Sequence, residues 1–470
     1  MATHEHHGMK TLAGLAKFCR HAGTGDRRDD RFDRMFPDLA PAYVQVGRLR
    51  DVGAQGGPMD AGTSKARTKG VAVGQIFFGQ FLDHDITLDA STSFRQVVND
   101  PTEVPNVRTP TLDLDCIYGL GPEAEPFLFA DGGTFGGAKL LTGADSGAGG
   151  FADDDLARAS NGRAIIGDPR NDENRIISQM QLAMIRFHNH VCDTLHNEEG
   201  FEGAELFEHA RETVTWHYQW SVVNDFLTQI CGAPVVEDIL ACGRRFYCGG
   251  IPYIPVEFSV AAYRFGHSMI PQKIQVKKGG ANHDLFGPVL GGGFAPLASA
   301  DAVVDFFELF DDTGKKRSVA HADRLDTKLA STLLNLPFVG AGDEASLATR
   351  NLMRGNAFLL PGGDKVAEAM DRPAEELDTV RDTIEDLGLS REGVPLWLYL
   401  LAEAQEVGRA EPGGNRTKGE GLGPVGARIV AETIIGLIEL DDRSYLGTNR
   451  NWSPRDEWSS VGRILTVAQP

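Results

Sequence analysis

The sequence has few cysteines and relatively few positive charges. Its 470 residues include six cysteines, and no two of them form a C-x-x-C pair, so neither a zinc knuckle nor a redox dithiol is indicated. Lys and Arg total 46 against 66 Asp and Glu, which gives a formal net charge of -20. A surface this acidic repels phosphate backbones. Nucleic acid is therefore not expected as a partner.

Long apolar runs are also missing. No stretch reaches the roughly 18 apolar residues of a membrane span, and the most apolar late segment, 428–440, carries Glu432, Thr433 and Glu439. We interpret that segment as an amphipathic helix on the core and expect no membrane insertion. The first residues, MATHEHHGMK, lack the basic patch, apolar stretch and cleavage site of a secretory signal. This predicts a cytoplasmic protein, with export by another route left open.

What the sequence does contain is helical periodicity. Hydrophobic residues make up 41% of the chain and charged residues 24%, which is ordinary for a globular protein with a large core. Strand signals are few and short. We predict a mainly α fold: a single large helical domain over residues 63–470 with long ordered loops, and an N-terminal arm, 1–62, that wraps it. Apolar residues recur three or four apart in 71–82, 175–195, 204–230, 347–359 and 427–440.

The segment 74–87 is an apolar helix that ends in three polar residues, Asp83, His84 and Asp85. Burying such groups without partners is costly. Gln80 precedes His84 by four residues and shares its helical face. The pattern indicates a polar pocket on an apolar element, although a lone buried histidine is more often a structural residue with its hydrogen bonds satisfied.

A second segment, 109–119, alternates oxygen-bearing and apolar side chains. In an extended loop, Thr109, Thr111, Asp113 and Asp115 would all point the same way. Hard divalent cations such as calcium take six to eight oxygen ligands, which this set could largely supply. The alternative is a strand with one polar face.

Two further segments carry candidate chemistry. The turn GDPRNDENR at 167–175 supplies helix-capping residues, or alternatively fixes Arg170 and Glu173 at a polar cavity. In YRFGHSMI at 263–270, a glycine precedes His267 and would let a flat group approach the backbone. A neutral imidazole there could bind haem iron if its second nitrogen has an acceptor, for which Asn351 is the candidate. Each motif alone is weak.

Together and in this order, the segments resemble the animal-type haem peroxidases of the peroxidase-cyclooxygenase superfamily. The resemblance covers roughly residues 60–450. It implies a haem b cofactor, a calcium ion, hydrogen peroxide as substrate and a small electron donor: a halide, thiocyanate or a phenol. For the site it implies His84 as acid-base catalyst, Gln80 at the halide site, Arg170 as distal arginine, His267 as iron ligand and Asn351 as its hydrogen-bond partner.

The resemblance also implies the remaining ligands. Asp83 and Glu173 match carboxylates that form ester bonds to haem in vertebrate members, whereas Asn174 stands where a methionine would form a third link. Arg264 and Arg354 would lie near the haem propionates. The calcium ligands would be Asp85, Thr109, Thr111, Asp113 and Asp115.

Two other functions stay open. Fatty-acid dioxygenases of this superfamily use a tyrosine three residues before the iron-binding histidine, where this chain has Arg264. Tyr263 is one residue further away and is expected on a different helical face, which argues against an oxygenase. A calcium-stabilised interaction module without catalysis is the other alternative. The sequence does not predict the oligomeric state.

Overall fold

Helices dominate the structure. A computed structural model describes residues 31–89, 92–130, 133–146, 150–315 and 318–469, so residues 1–30 of the predicted arm lie outside the described part. Helices hold 48% of the residues and strands 8%. The predicted mainly α fold with few short strands is confirmed.

The α-helices are numbered in chain order within the described ranges, and four of them begin and end within a few residues of a predicted periodic segment. The helices are α1 (Val46–Gly53), α2 (Val73–Ile86), α3 (Asp115–Tyr118), α4 (Gly143–Ser146), α5 (Arg175–Glu199), α6 (Gly203–Ser221), α7 (Ala233–Cys242), α8 (Gly266–Met269), α9 (Leu347–Ala357), α10 (Gly363–Ala369), α11 (Ala374–Asp386), α12 (Leu396–Glu406), α13 (Pro424–Glu439), α14 (Tyr445–Thr448) and α15 (Val461–Thr466).

Helix α6 departs from the prediction of one continuous helix over 204–230. It passes into two π-helical turns, Val222–Phe226 and Thr228–Gly232. A π-helical turn widens the helix by one residue and re-aims the side chains that follow. The segment before α8 is irregular as well, with a π-helical turn at Glu257–Ala261 and a 3₁₀ turn at Ala262–Phe265.

Strands occur only as short pairs in the described ranges. One strand has six residues and the others have two or three. Such short pairs cannot form an independent sheet, so they only link neighbouring parts of the chain. They are β1 (Phe32–Asp33) parallel to β3 (Ile254–Pro255), β2 (Arg67–Ala72) antiparallel to β6 (His321–Asp323), β4 (Lys273–Gln275) antiparallel to β5 (Asn282–Asp284), and β7 (Arg409–Ala410) antiparallel to β8 (Arg416–Thr417).

Helix α2 lies at the centre of the core. All of its residues except Gln80 and Asp83 are buried, as expected of a helix in the core. Phe78 and Phe81 each meet the ring of Tyr218 edge-on, at 5.9 and 6.3 Å between centroids. Gly74 allows its N-terminal turn to touch the loop carrying Phe310. The packing fixes the position of the polar residues at the C-terminal end of α2.

Helix α5 runs alongside α2. The Asn174 side chain caps its N-terminus by accepting a hydrogen bond from the Ile177 amide, and Gly200 ends it in a left-handed conformation. The turn 167–175 therefore does cap a helix, as one of its two interpretations predicted. Because α5 packs against α2, the same turn lies beside the end of α2.

No helix in the described ranges is both long enough and apolar enough to cross a membrane.

The contact at Gly74 gives a test of the packing. A Cβ atom there would lie 2.5 Å from both the Leu309 carbonyl oxygen and the Phe310 ring, so Gly74→Ala should lower the free energy of unfolding by about 1–3 kcal/mol. Gly47 in α1 is the matched control, because its Cβ would meet nothing within 4 Å. Gly47→Ala should be neutral or stabilise by up to about 1 kcal/mol. Equal effects in denaturant unfolding would contradict this packing.

Candidate active site

One cavity of about 350 Å³ brings together most of the residues that the sequence assigned to a haem site. It lies between α2 and the segment 259–270 and has apolar walls that include Ile76, Phe77 and Leu333. Its volume falls within the range of small-molecule sites, about 300–1,000 Å³. The predicted site residues that line it are Gln80, Asp83, His84, Glu173, Arg264 and His267.

His84 is held by a chain of buried amides. Its Nδ1 lies 2.7 Å from Asn171 Oδ1, Asn171 Nδ2 donates to Gln181 Oε1, and Gln181 Nε2 donates to the Cys116 carbonyl. Burial, together with the charge of Arg170, lowers the pKa of His84 to about 4. The ring is therefore neutral at pH 7. Since Nδ1 donates its proton to Asn171, Nε2 carries the free lone pair.

His267 has a similar arrangement on the other wall. Asn351 Nδ2 lies 2.8 Å from His267 Nδ1, and Asn351 Oδ1 accepts a hydrogen bond of 3.1 Å from Arg264 Nη1. Burial, with the charge of Arg264, lowers the pKa of His267 to about 3. The expected pairing of His267 with Asn351 is present, but the amide presents its nitrogen. The reason is that the guanidinium of Arg264 carries only donors and takes the oxygen.

Carboxyl groups face the same cavity. Gln80 Nε2 donates to Glu173 Oε1, and burial raises the pKa of Glu173. Asp83 accepts a hydrogen bond of 2.9 Å from the Thr87 hydroxyl. The motifs at 80–85 and 167–175, which are far apart in sequence, thus meet at one site.

Arg170 and Arg354 do not line this cavity. The Arg170 guanidinium contacts both carboxylate oxygens of buried Asp168, at 2.7 to 3.2 Å, and donates to the His84 carbonyl at 2.9 Å. Asp168 also pairs with Arg108 at 2.7 Å. Arg354 pairs with Asp89 at 2.8 Å. Each arginine lies outside the cavity because it forms charge-assisted hydrogen bonds with a nearby carboxylate.

Tyr263 corrects an expectation from the sequence. It was expected on a different helical face from the site, yet it lines the cavity together with both histidines. The reason is local: 262–265 is a 3₁₀ turn that leads into the short helix α8, so an α-helical spacing does not apply. Its hydroxyl is buried and has no hydrogen-bond partner among the described residues.

A cluster of three carboxylates includes Asp85, near the C-terminal end of α2. Oxygen atoms of Asp85, Asp113 and Asp115 all lie within 4.8 Å of one another. Burial and the two neighbouring charges raise the pKa of Asp85 well above its usual range, and its Oδ1 has no partner in the described structure. Thr109 Oγ1 donates to Asp113 at 2.8 Å, while Thr111 is half-buried in the same loop. Asp115 also pairs with Arg108 at 3.2 Å, whereas a cation bound beside Asp85 would offset the cost of burying its charge.

A larger cavity, of about 640 Å³, adjoins two carboxylates of this cluster. It is lined by Asp113 and Asp115 but by neither His84 nor His267. Acidic and basic side chains share its remaining wall, as do Tyr118 and Trp216. It provides a route from solvent to the carboxylates.

Sequence reasoning missed the residues that orient His84 and Arg170. Asn171 and Asp168 lie in a turn whose Asn and Asp residues were interpreted as caps, and Asn174 and Asp168 do cap helices. Asn171 is different because it is fully buried and bonds to His84. Its only sequence signal was its position beside Arg170.

Comparison with known proteins identifies the family. The family model described as "Animal haem peroxidase" matches residues 89–355, a range that begins after His84 and contains Arg170, His267 and Asn351. The chain therefore belongs to the animal haem peroxidase family, whose members are haem oxidoreductases and typically bind calcium.

Individual relatives are distant. Chorion peroxidase of Drosophila melanogaster is 26% identical over 243 residues, which are 47% of this chain and 29% of that protein. The matched segments span less than a third of the curated relatives' lengths. Among solved structures, Peroxidase A from Dictyostelium discoideum has a TM-score of 0.60 at 14% identity, over 92% of this chain and 93% of that one. The Arabidopsis thaliana fatty acid alpha-dioxygenase has a TM-score of 0.58 at 16% identity, over 92% and 77%. Both structures share the fold.

The hydrogen bond between His84 and Asn171 can be tested by its contribution to stability. In Asn171→Leu, the buried His84 Nδ1–H and the Gln181 Oε1 both lose their partner, so the free energy of unfolding should fall by at least about 1–3 kcal/mol. Asn197→Leu is the control, because Asn197 is exposed on α5, and it should change stability by less than about 0.5 kcal/mol. Equal changes in denaturant unfolding would mean that this amide does not hold His84.

Proposed function

We propose that this protein is a haem peroxidase that reduces hydrogen peroxide to water and oxidises a small electron donor. One observation carries the proposal: His84 and His267 line the same cavity, and each has its Nδ1 engaged by a buried asparagine. A haem bound there supplies an iron atom for redox chemistry with peroxide.

The residues of the cavity fit this cofactor. Its walls are apolar, as a porphyrin requires, and two imidazoles line it with Nε2 left without a partner in the described structure. Arg264 brings a guanidinium into the wall, which suits the carboxylates of a haem. Asp83 and Glu173 lie in the same wall, and we propose them as the carboxylates for ester links.

We assign His267 as the iron ligand through Nε2. Its Nδ1 must then carry the proton and needs an acceptor. If the Asn351 amide turned by half a rotation, its Oδ1 could accept a hydrogen bond from His267 Nδ1. Arg264 Nη1 would then need another acceptor, which a carboxylate of the bound group can provide. Asn351 would thus hold the ring while Arg264 moves from the amide to the cofactor.

We assign His84 as the acid-base residue. Its neutral ring has a free lone pair at Nε2, so it can take a proton from hydrogen peroxide and return it to the departing oxygen. Gln80, one turn earlier on α2, lies in the same wall. Arg170 would stabilise the charge that develops as the O–O bond breaks, and for this its guanidinium must turn from Asp168 towards the cavity.

We further propose that Asp85, Asp113 and Asp115 hold a calcium ion, with Thr109 and Thr111 as additional oxygen ligands. The unpartnered Asp85 Oδ1 in a cluster of three carboxylates is the supporting observation. Calcium fits better than zinc because every candidate ligand atom is a hard oxygen. The ion would fix α2 at the residue next to His84.

A fatty-acid dioxygenase is the second candidate. The buried hydroxyl of Tyr263 lies at the cavity, and solved alpha-dioxygenases share the fold. We rank it second because the position three residues before His267 is Arg264.

Single histidine variants test the assignment. His267→Ala should weaken haem binding, measured by titration of the Soret absorbance. By contrast, His84→Ala should bind haem but react with hydrogen peroxide about 10²–10⁴ times more slowly. His190→Ala, on α5 against Trp458 and outside the cavity, is the control and should do neither.

Two results would reject the peroxidase assignment. The first is a His84→Ala variant with an undiminished rate of reaction with peroxide. The second is oxygen uptake with a polyunsaturated fatty acid in the absence of peroxide, abolished by Tyr263→Phe, which would establish the dioxygenase.

The calcium assignment predicts a stability that depends on the ion. Chelation should lower the melting temperature, and added calcium should restore it, because a ligand that binds only the folded state stabilises that state. Asp85→Asn should abolish the response, whereas Asp441→Asn, a buried carboxylate near Asp113 but outside the cluster, should retain it. A wild-type melting temperature that is the same with chelator and with calcium would exclude the ion.

A further inference from the structure

Two arginines, Arg264 and Arg350, line the cavity, and Arg350 is the one that neither the sequence nor the mechanism used. Leu347, Arg350, Asn351 and Arg354 lie on one face of α9, because Leu347 and Asn351 are four residues apart and so are Arg350 and Arg354. Arg264 donates to Asn351, and Arg354 pairs with Asp89.

No carboxylate of the described residues forms an ion pair with Arg350. Among the described residues, its side chain has neither an ion pair nor a hydrogen bond, and its guanidinium lies over the ring of Phe94 at 5.2 Å. Arg350 is half-buried and lines the cavity. Stacking on Phe94 holds the guanidinium plane and leaves its N–H donors available at the cavity.

An aromatic pair lies in the same wall. Phe338 is 69% exposed, which is unusual for so large an apolar side chain, and it meets Phe286 edge-on with the ring centroids 5.6 Å apart. Both rings line the cavity, as do Leu347 and Arg350. An exposed apolar patch that continues into a cavity is typical of a ligand-binding surface.

We propose that Arg350 binds the carboxylate of an aromatic carboxylic acid whose ring packs against Phe286 and Phe338. This rests on the proposed peroxidase function and makes phenolic acids its donor class. A halide would leave the aromatic pair unused, and a neutral phenol would leave the guanidinium unpaired. The same carboxylate chemistry is also present in the propionates of haem, so the experiment has to separate the two sources.

The experiment measures binding directly. The haem-loaded protein is titrated by calorimetry with 4-methoxycinnamate, which lacks an oxidisable phenol, and with its uncharged methyl ester. Arg350→Gln should raise the Kd of the acid about tenfold and leave that of the ester unchanged, because a charge-assisted hydrogen bond is lost. Arg350→Lys should recover part of the affinity, and Phe338→Ala should weaken both ligands.

Arg95→Gln is the matched control. Arg95 also lies over Phe94, at 5.6 Å, but pairs with Asp343 and does not line the cavity, so its loss should leave both Kd values unchanged. A second titration compares haem with its dimethyl ester. If Arg350→Gln weakens only haem and not the ester, the carboxylate that Arg350 binds belongs to the cofactor, and the substrate assignment is overturned.

The remaining outcomes are equally distinct. An Arg350→Gln variant that binds acid, ester and haem as the wild type does would overturn the carboxylate site. A protein that binds the acid through Arg350 but does not consume peroxide would refute the peroxidase function and leave the site standing, because calorimetry detects binding without turnover.

Discussion

An imidazole buried in an apolar core is neutral, and its two nitrogens then differ: one donates a hydrogen bond and the other accepts. Which nitrogen faces a cavity is decided by the partner of the other nitrogen. In this protein an asparagine binds the Nδ1 of each histidine, Asn171 for His84 and Asn351 for His267, so Nε2 faces the cavity in both. The surrounding helices hold both amides in place. If either amide shifted, a different imidazole nitrogen would face the cavity.

The end of α2 connects two sites through consecutive residues. His84 belongs to the cavity and Asp85 to the carboxylate cluster, since neighbouring residues of a helix point in different directions. The packing of Phe78 and Phe81 against Tyr218, whose hydroxyl lies 3.3 Å from Asp85, joins the aromatic core to the same end. The position of His84 therefore depends on contacts on both sides of one helix.

The sequence was most informative about the site where polar residues interrupt the regular spacing of apolar residues in a helix. It predicted α2, α5, α9 and α13, the grouping of Asp113 with Asp115, and the cavity with Gln80, His84, Glu173 and His267. It could not predict Asn171 or Arg350, because an asparagine in a turn and an arginine on a helix are ordinary there. Only the packing of α9 and of the 167–175 turn gives those side chains their neighbours.

The placement of Tyr263 was wrong for a related reason. Spacing along a chain predicts a face only when the helix type is known, and the chain before His267 changes from a π-helical to a 3₁₀ turn within a few residues. Arg170 illustrates another limit. Its neighbour Asp168, two residues earlier, captures the guanidinium, and sequence alone does not rank such local competitors against a cavity.

The amide chain behind His84 has a chemical consequence. A carboxylate in the place of Asn171 would stabilise the protonated ring and make it a stronger base, whereas an amide holds the ring without adding charge. A weakly basic imidazole releases a captured proton readily. The hydrogen-bonded chain from Asn171 through Gln181 to the Cys116 carbonyl contains no titratable group. The hydrogen bonds that orient the ring therefore do not change with pH.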